Sequence, residues 1–185
     1  MLDKSQQEYL MQNLRTMQII VVALAAGVIT FIGIVPFLPV QGGGGLLPGG
    51  LSYTELGLAL AGLAIFARLV VPSLIAGSMR QAIADGKPLA DKSQTPAGPD
   101  VGEVRPLVNM YQTRLIIGAA FLEGAAFFNV VAYMFERKPV ALVAAVVLSI
   151  LLLTSFPTQG RLRRWAEDDL ATIKQLRAMG SQHGR

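Results

Sequence analysis

Apolar stretches close to bilayer-spanning length recur along this chain, and they constrain it more than any other feature. A transmembrane helix needs about 20 predominantly apolar residues. Four segments of the 185-residue sequence approach that length: Met17 to Val40, Leu56 to Gly77, Leu115 to Phe135 and Val140 to Phe156. With 52% hydrophobic and only 15% charged residues, the chain is too apolar for a water-soluble enzyme with one buried core, and equally for a disordered segment. The first stretch runs past the length of a signal-peptide core into Pro36, Pro39 and a glycine-rich stretch, so it reads as a retained span. The expected fold is an all-α membrane protein with four transmembrane helices arranged as two hairpins.

Orientation follows from Lys and Arg, which are retained in cytoplasmic loops and depleted from translocated ones. Thirteen of the 16 basic residues lie in the N-terminal arm, the central connection and the C-terminal tail. The first hairpin loop, Gln41 to Thr54, has none, and the second contributes only Arg137 and Lys138 beside Glu136. Both termini are therefore expected in the cytoplasm, in the manner of a multi-pass bacterial inner-membrane protein. The basic balance then reflects this bias and attraction to anionic lipid, and no nucleic-acid partner is expected, because no basic surface is interleaved with aromatics.

These boundaries divide the chain into a cytoplasmic arm over 1–16, a first transmembrane hairpin over 17–78, a cytoplasmic linker over 79–114, a second hairpin over 115–156 and a cytoplasmic tail over 157–185. The linker is marked by Pro88, Pro96, Pro99 and Pro106 among polar residues. A weak parallel repeat relates the hairpins: Thr16, Ile19, Ile20, Ala23, Gly27 and Phe31 match Thr113, Ile116, Ile117, Ala120, Gly124 and Phe128. In the tail, Leu162, Trp165, Ala166, Leu170, Ile173 and Leu176 recur at helical spacing, interrupted by Asp169. One reading is an in-plane amphipathic helix with Trp165 at headgroup level and Arg161, Arg163 and Arg164 on anionic lipid. The other is a helix packed on the cytoplasmic ends of its own bundle or on a partner.

Two charges fall inside spans, where ionisable residues are costly and usually mark a bundle interior, a proton path or a pair. Glu123 stands nine residues beyond Arg114, about 13 Å along a helix, and Arg68 stands twelve before Arg80, about 18 Å. Small neighbours at Ala119, Ala120, Gly124 and Ala126 admit another backbone, so Glu123 is expected to face protein. Pro72 cannot donate to the carbonyl of Arg68, so a kink is expected there. Three readings stay open: a buried Arg68–Glu123 pair that fixes helix register, an Arg68 that snorkels to the interface, and a proton-carrying Glu123.

The string from Arg114 to Phe128, Arg-Leu-Ile-Ile-Gly-Ala-Ala-Phe-Leu-Glu-Gly-Ala-Ala-Phe-Phe, resembles the carboxylate-bearing helix of the proteolipid (c) subunits of rotary ATP synthases. That resemblance implies that Glu123 carries protons. It covers one helix of the four and lacks both the glycine-repeat partner helix and the Arg-Gln-Pro loop of that family. The wider layout resembles bacterial four-helix inner-membrane proteins with an Ala-rich Leu-Glu-Gly-Ala-Ala segment, a likeness that carries no activity with it.

Enzyme chemistry finds little footing. There are no cysteines and one histidine, His183, which leaves no thiolate or His-based catalytic, metal or cofactor site to expect. The glycines between Gln41 and Gly50 lack the Lys-Ser/Thr ending of a phosphate loop, and Glu167-Asp168-Asp169 reads as a solvated patch. The sequence therefore points to a non-enzymatic accessory or interaction component in the lipid bilayer, with a membrane-protein partner or further copies of itself. A small proton- or ion-translocating protein using Glu123 is the alternative.

Overall fold

In a computed structural model, the described residues (4–39, 50–84 and 104–183) form five α-helices and one 3-10 turn, with no strand among them. The helices are α1 (Lys4–Ile34), α2 (Tyr53–Ala84), α3 (Val104–Glu136), α4 (Pro139–Thr154) and α5 (Gln159–His183), and the 3-10 turn Val35–Phe37 follows α1. Such sequences become helices because hydrocarbon offers backbone groups no partner, and a helix satisfies them within the segment.

The ends are written locally. Ser52 and Glu55 form a reciprocal capping box at the start of α2, the Glu55 N–H donating to Ser52 Oγ (3.2 Å) and the Ser52 N–H to Glu55 Oε2 (2.9 Å). Pro139 occupies the first turn of α4, where its missing N–H costs nothing, and Pro157 lies in the break between α4 and α5.

Among the described residues, three helices are long and apolar enough to cross a membrane, or four if Pro139–Thr154 with Gln159–Asp169 is counted as one broken span. α2 and α3 overrun their expected spans at both ends, α1 begins earlier and closes before Val40, and α4 falls close to the expected bounds. α1 carries the N-terminal arm as a continuous extension from Lys4, α2 runs on through Pro72 to Ala84, and α3 starts at Val104. Within the linker drawn over 79–114 both flanks are helical, and Pro106 sits in the first turn of α3, which tolerates proline. The remainder of that linker, 85–103, and the glycine-rich stretch over 40–49 lie outside the described residues.

The helices divide into two compact units. The first, here the polar unit, comprises Met1–Gln18, Ser73–Arg114 and Pro157–Arg185. Its buried side chains are large, among them Leu10, Leu14, Met17, Leu107, Met110 and Leu162. Tyr111 and Trp165 pack ring to ring at 5.0 Å, and Gln18 Nε2 donates to the carbonyl of Pro157 at 3.0 Å.

The second, here the apolar unit, comprises Ile19–Pro72 and Leu115–Phe156. Its main core is lined chiefly by alanines, including Ala25, Ala61, Ala64, Ala119 and Ala126, around Leu122, Leu148 and Leu152. A second cluster gathers Val35, Val130 and Ala145 beneath Phe31, Tyr133 and Leu142. Large apolar side chains point outward instead: Ile19, Leu63, Phe66, Leu69, Val143 and Ile150 are all exposed. A water-soluble domain does not present so continuous an apolar surface. The arrangement suits lipid as the surrounding solvent.

Candidate functional site

Within the apolar unit charges are few, and all but one serve a helix end. Glu136, at the close of α3, accepts the Tyr53 N–H (2.6 Å) and the Thr54 N–H (3.4 Å) at the start of α2, while Lys138 pairs with its Oε2 at 3.0 Å. A helix N-terminus carries unsatisfied N–H groups and the positive end of the macrodipole, so an anion there is stabilising.

Arg137 does the converse. Its guanidinium donates to the carbonyls of Val35 (3.4 Å), Pro36 (3.5 Å) and Leu38, where α1 and its 3-10 turn end, and lies over the Tyr133 ring at 5.4 Å. Its backbone is left-handed, with φ 52°, and its N–H returns to the carbonyl of Tyr133 at 2.8 Å. That is the position at a helix C-terminus where glycine is usual. A side chain there costs backbone strain, and the three carbonyl contacts offset it.

Arg68 occupies the corresponding place at the far end of α4. It donates from Nη1 to Ser155 Oγ, and that hydroxyl donates in turn to the carbonyl of Leu151 at 3.1 Å. The cation thus stands at the C-terminus of a neighbouring helix, where the dipole favours it. No ion pair joins it to Glu123 among the described residues. The expected depths came from counting along each helix, which fixes neither the relative height of two helices nor the direction around each axis. α2 turns Arg68 toward α4. For Pro72, the helix continues through the position.

Glu123 is different. Among the described residues it has neither hydrogen bond nor ion pair, and it is half-buried at the border of α3's packed face. Ala119 and Ala126 on one side of it are buried, whereas Ala120, Phe121 and Gly124 on the other are exposed. The expectation that Glu123 faces protein therefore holds for one flank only.

Asn129, one and a half turns further along α3, has no exposed surface at all. Its Nδ2 donates to the carbonyls of Gly57 on α2 and Ala125 on its own helix, both at 2.8 Å. Gly57 is required there, because a Cβ at that residue would stand 2.8 Å from Asn129 Oδ1. Sequence reasoning passed over this knot. The signal was present in a lone amide inside an apolar span, which must find a partner in a neighbouring helix.

In the polar unit, Trp165 is half-buried against Tyr111, while Arg161, Arg163 and Arg164 are exposed. Arg163 pairs with Glu167 at 3.2 Å, and Arg164 donates to the carbonyl of Gly160 at 3.3 Å. Leu162, Ala166 and Asp169 are buried, so the start of α5 spends its apolar stripe on the polar unit itself, and Asp169 belongs to that stripe. No group of His, Cys, Asp or Glu among the described residues is spaced to hold a metal ion.

Among the described residues the protein is all-helical, and three or four helices long and apolar enough to span a bilayer suggest a membrane protein. No protein-family model matches the chain, and no curated protein or solved structure is significantly similar to it.

Proposed function

We propose that this protein is a non-enzymatic interaction component of a membrane assembly, with α3 as its contact helix and Glu123 as the polar anchor. The observation that carries this reading is the isolation of Glu123: the other charges of the apolar unit are engaged at helix ends, and this carboxyl has no such engagement among the described residues. A carboxyl at membrane depth is costly unless something meets it. Beside it, Ala120 and Gly124 leave an outward strip where another helix backbone approaches closely. A partner helix that brings a hydrogen-bond donor or a cation to this strip satisfies both features at once.

The topology belongs to the same proposal: four spans in two hairpins related by a weak parallel repeat, both termini cytoplasmic, in a bacterial inner membrane. Cysteines placed singly at Ser5 and Ser181 are expected to resist an impermeant thiol reagent in intact cells, whereas one at Gly44 reacts. The chain has no cysteine of its own to confuse the result.

The same isolation also favours a second reading, in which Glu123 takes up and releases a proton across the bilayer, as the proteolipid resemblance implies. One experiment separates the two. A cysteine at Gly124 is crosslinked in native membranes with and without Glu123→Gln, and the purified protein is reconstituted for proton flux. A crosslinked species that Glu123→Gln abolishes, without flux, supports the interaction component. Flux lost in Glu123→Gln, without a crosslinked species, supports the translocator.

A further inference from the structure

A groove of about 510 Å³ opens within the polar unit between the first half of α1 and the start of α5. Its floor is apolar, with Leu14 and Leu162 almost fully buried, and its rim carries Lys4, Arg15 and Arg163 with Glu8; Arg163 gives its Nε to Glu167, just outside the groove, and keeps its two terminal nitrogens. Arg15 is exposed and makes no ion pair among the described residues. Leu14 and Arg15 also stand within one turn of Met17, where the apolar run of α1 begins, so this stretch of α1 lies at the height of a bilayer's headgroups.

We infer that the groove is a binding site for one anionic phospholipid, its phosphodiester held by Arg15 and Arg163 and the glycerol end of its acyl chains laid on Leu14 and Leu162. Three properties select this occupant. The volume lies in the range of small-molecule sites. Even with Glu167 counted beside Glu8, the three cations of the rim leave a positive balance that suits a phosphate, for which guanidinium is the preferred donor. The apolar floor gives no advantage to a free inorganic anion, whereas it shelters the methylene groups of a lipid whose head is fixed at the rim. This site is distinct from the general attraction of a basic tail to an anionic surface, because it needs a particular pair of arginines and an open volume.

The test is competitive lipid retention, read by native mass spectrometry on the intact protein released from mixed micelles of phosphatidylglycerol and phosphatidylcholine. Wild-type protein should retain one phosphatidylglycerol in preference to phosphatidylcholine, by about fivefold for each arginine engaged. Arg15→Gln with Arg163→Gln should remove the preference, while Arg164→Gln, which alters an exposed arginine of the same helix outside the groove, should keep it. Met11→Trp leaves every charge in place and fills the volume, and it too should abolish retention; its thermal melt shows whether the fold is intact should the arginine variants prove unstable. Equal loss on Arg164→Gln, undiminished retention by folded Met11→Trp, or displacement of the lipid by millimolar inorganic phosphate would each overturn the proposal.

Discussion

The two units of this molecule solve the packing problem in opposite ways. The polar unit buries leucines and methionines and, Asp169 apart, leaves its described charges partly or fully exposed, as a water-soluble domain does. The apolar unit buries alanines, turns Ile19, Phe66, Leu69 and Val143 outward and keeps every charge but Glu123 for helix ends. The difference follows from solvent. Water rewards removing large apolar surfaces from contact with it, so large residues go inside. Lipid gives no such reward, and helices associate through close backbone approach and interhelical hydrogen bonds, which favours small residues at the contact.

The comparison breaks if the two units answer alike to a change of side-chain volume. In the polar unit, Leu162→Ala removes a buried side chain from a core of large residues and is expected to cost about 2–5 kcal/mol. Faster hydrogen exchange along α5, without change in the protection of α4, is the measurement. In the apolar unit the sensitive direction is enlargement: Ala126→Leu, at a position with no exposed surface, is expected to cost about 1–3 kcal/mol in a detergent melt.

Gly57 sharpens the point, because its contact is with one identified atom group. Gly57→Ala is expected to cost about 1–3 kcal/mol through collision with the Asn129 amide, and Asn129→Ala should recover part of that loss by removing the obstacle. A double variant no better than the sum of its parts would show that the close approach is not what demands glycine.

Helix-end charges form the next tier. Glu136→Gln weakens the anionic cap on α2 and should lower stability by about 0.5–2 kcal/mol. Opening should be visible as faster exchange at Tyr53 and Thr54. The smallest effect is the coupling between Arg68 and Ser155, expected near 0.6 kcal/mol from a cycle of Arg68→Met, Ser155→Ala and both. A coupling between Arg68 and Glu123 larger than this would restore the intramembrane pair that the geometry does not form.

Much of the helical layout was legible because apolar run length is a direct consequence of bilayer thickness. What the sequence concealed was direction around the helix axis. Counting residues put Arg68 and Glu123 at comparable expected depths, yet Arg68 meets Ser155 on α4, because packing sets both the rotation and the height of each helix. The beginning of α3 was obscured for another reason. Prolines drew attention to a linker, while Val104, Leu107, Val108 and Tyr111 already stood at helical spacing, and Leu107 and Val108 are buried. The roles of Glu136 and Arg137 were hidden because two basic residues in a loop expected to be translocated register only as an exception to the charge bias. Their acceptors and donors lie some eighty to a hundred residues earlier in the chain.

That separation bears on how the protein is made. A chain threaded into a membrane as it leaves the ribosome delivers its first two helices well before residue 136 exists. Until then the start of α2 has only its own capping box, and the carbonyls closing α1 lack their guanidinium. α1 and α2 are therefore inserted with the end between them unfastened, and synthesis of Glu136 and Arg137 completes it. A two-helix product released early would present that open end to the quality-control proteases that survey unassembled membrane segments.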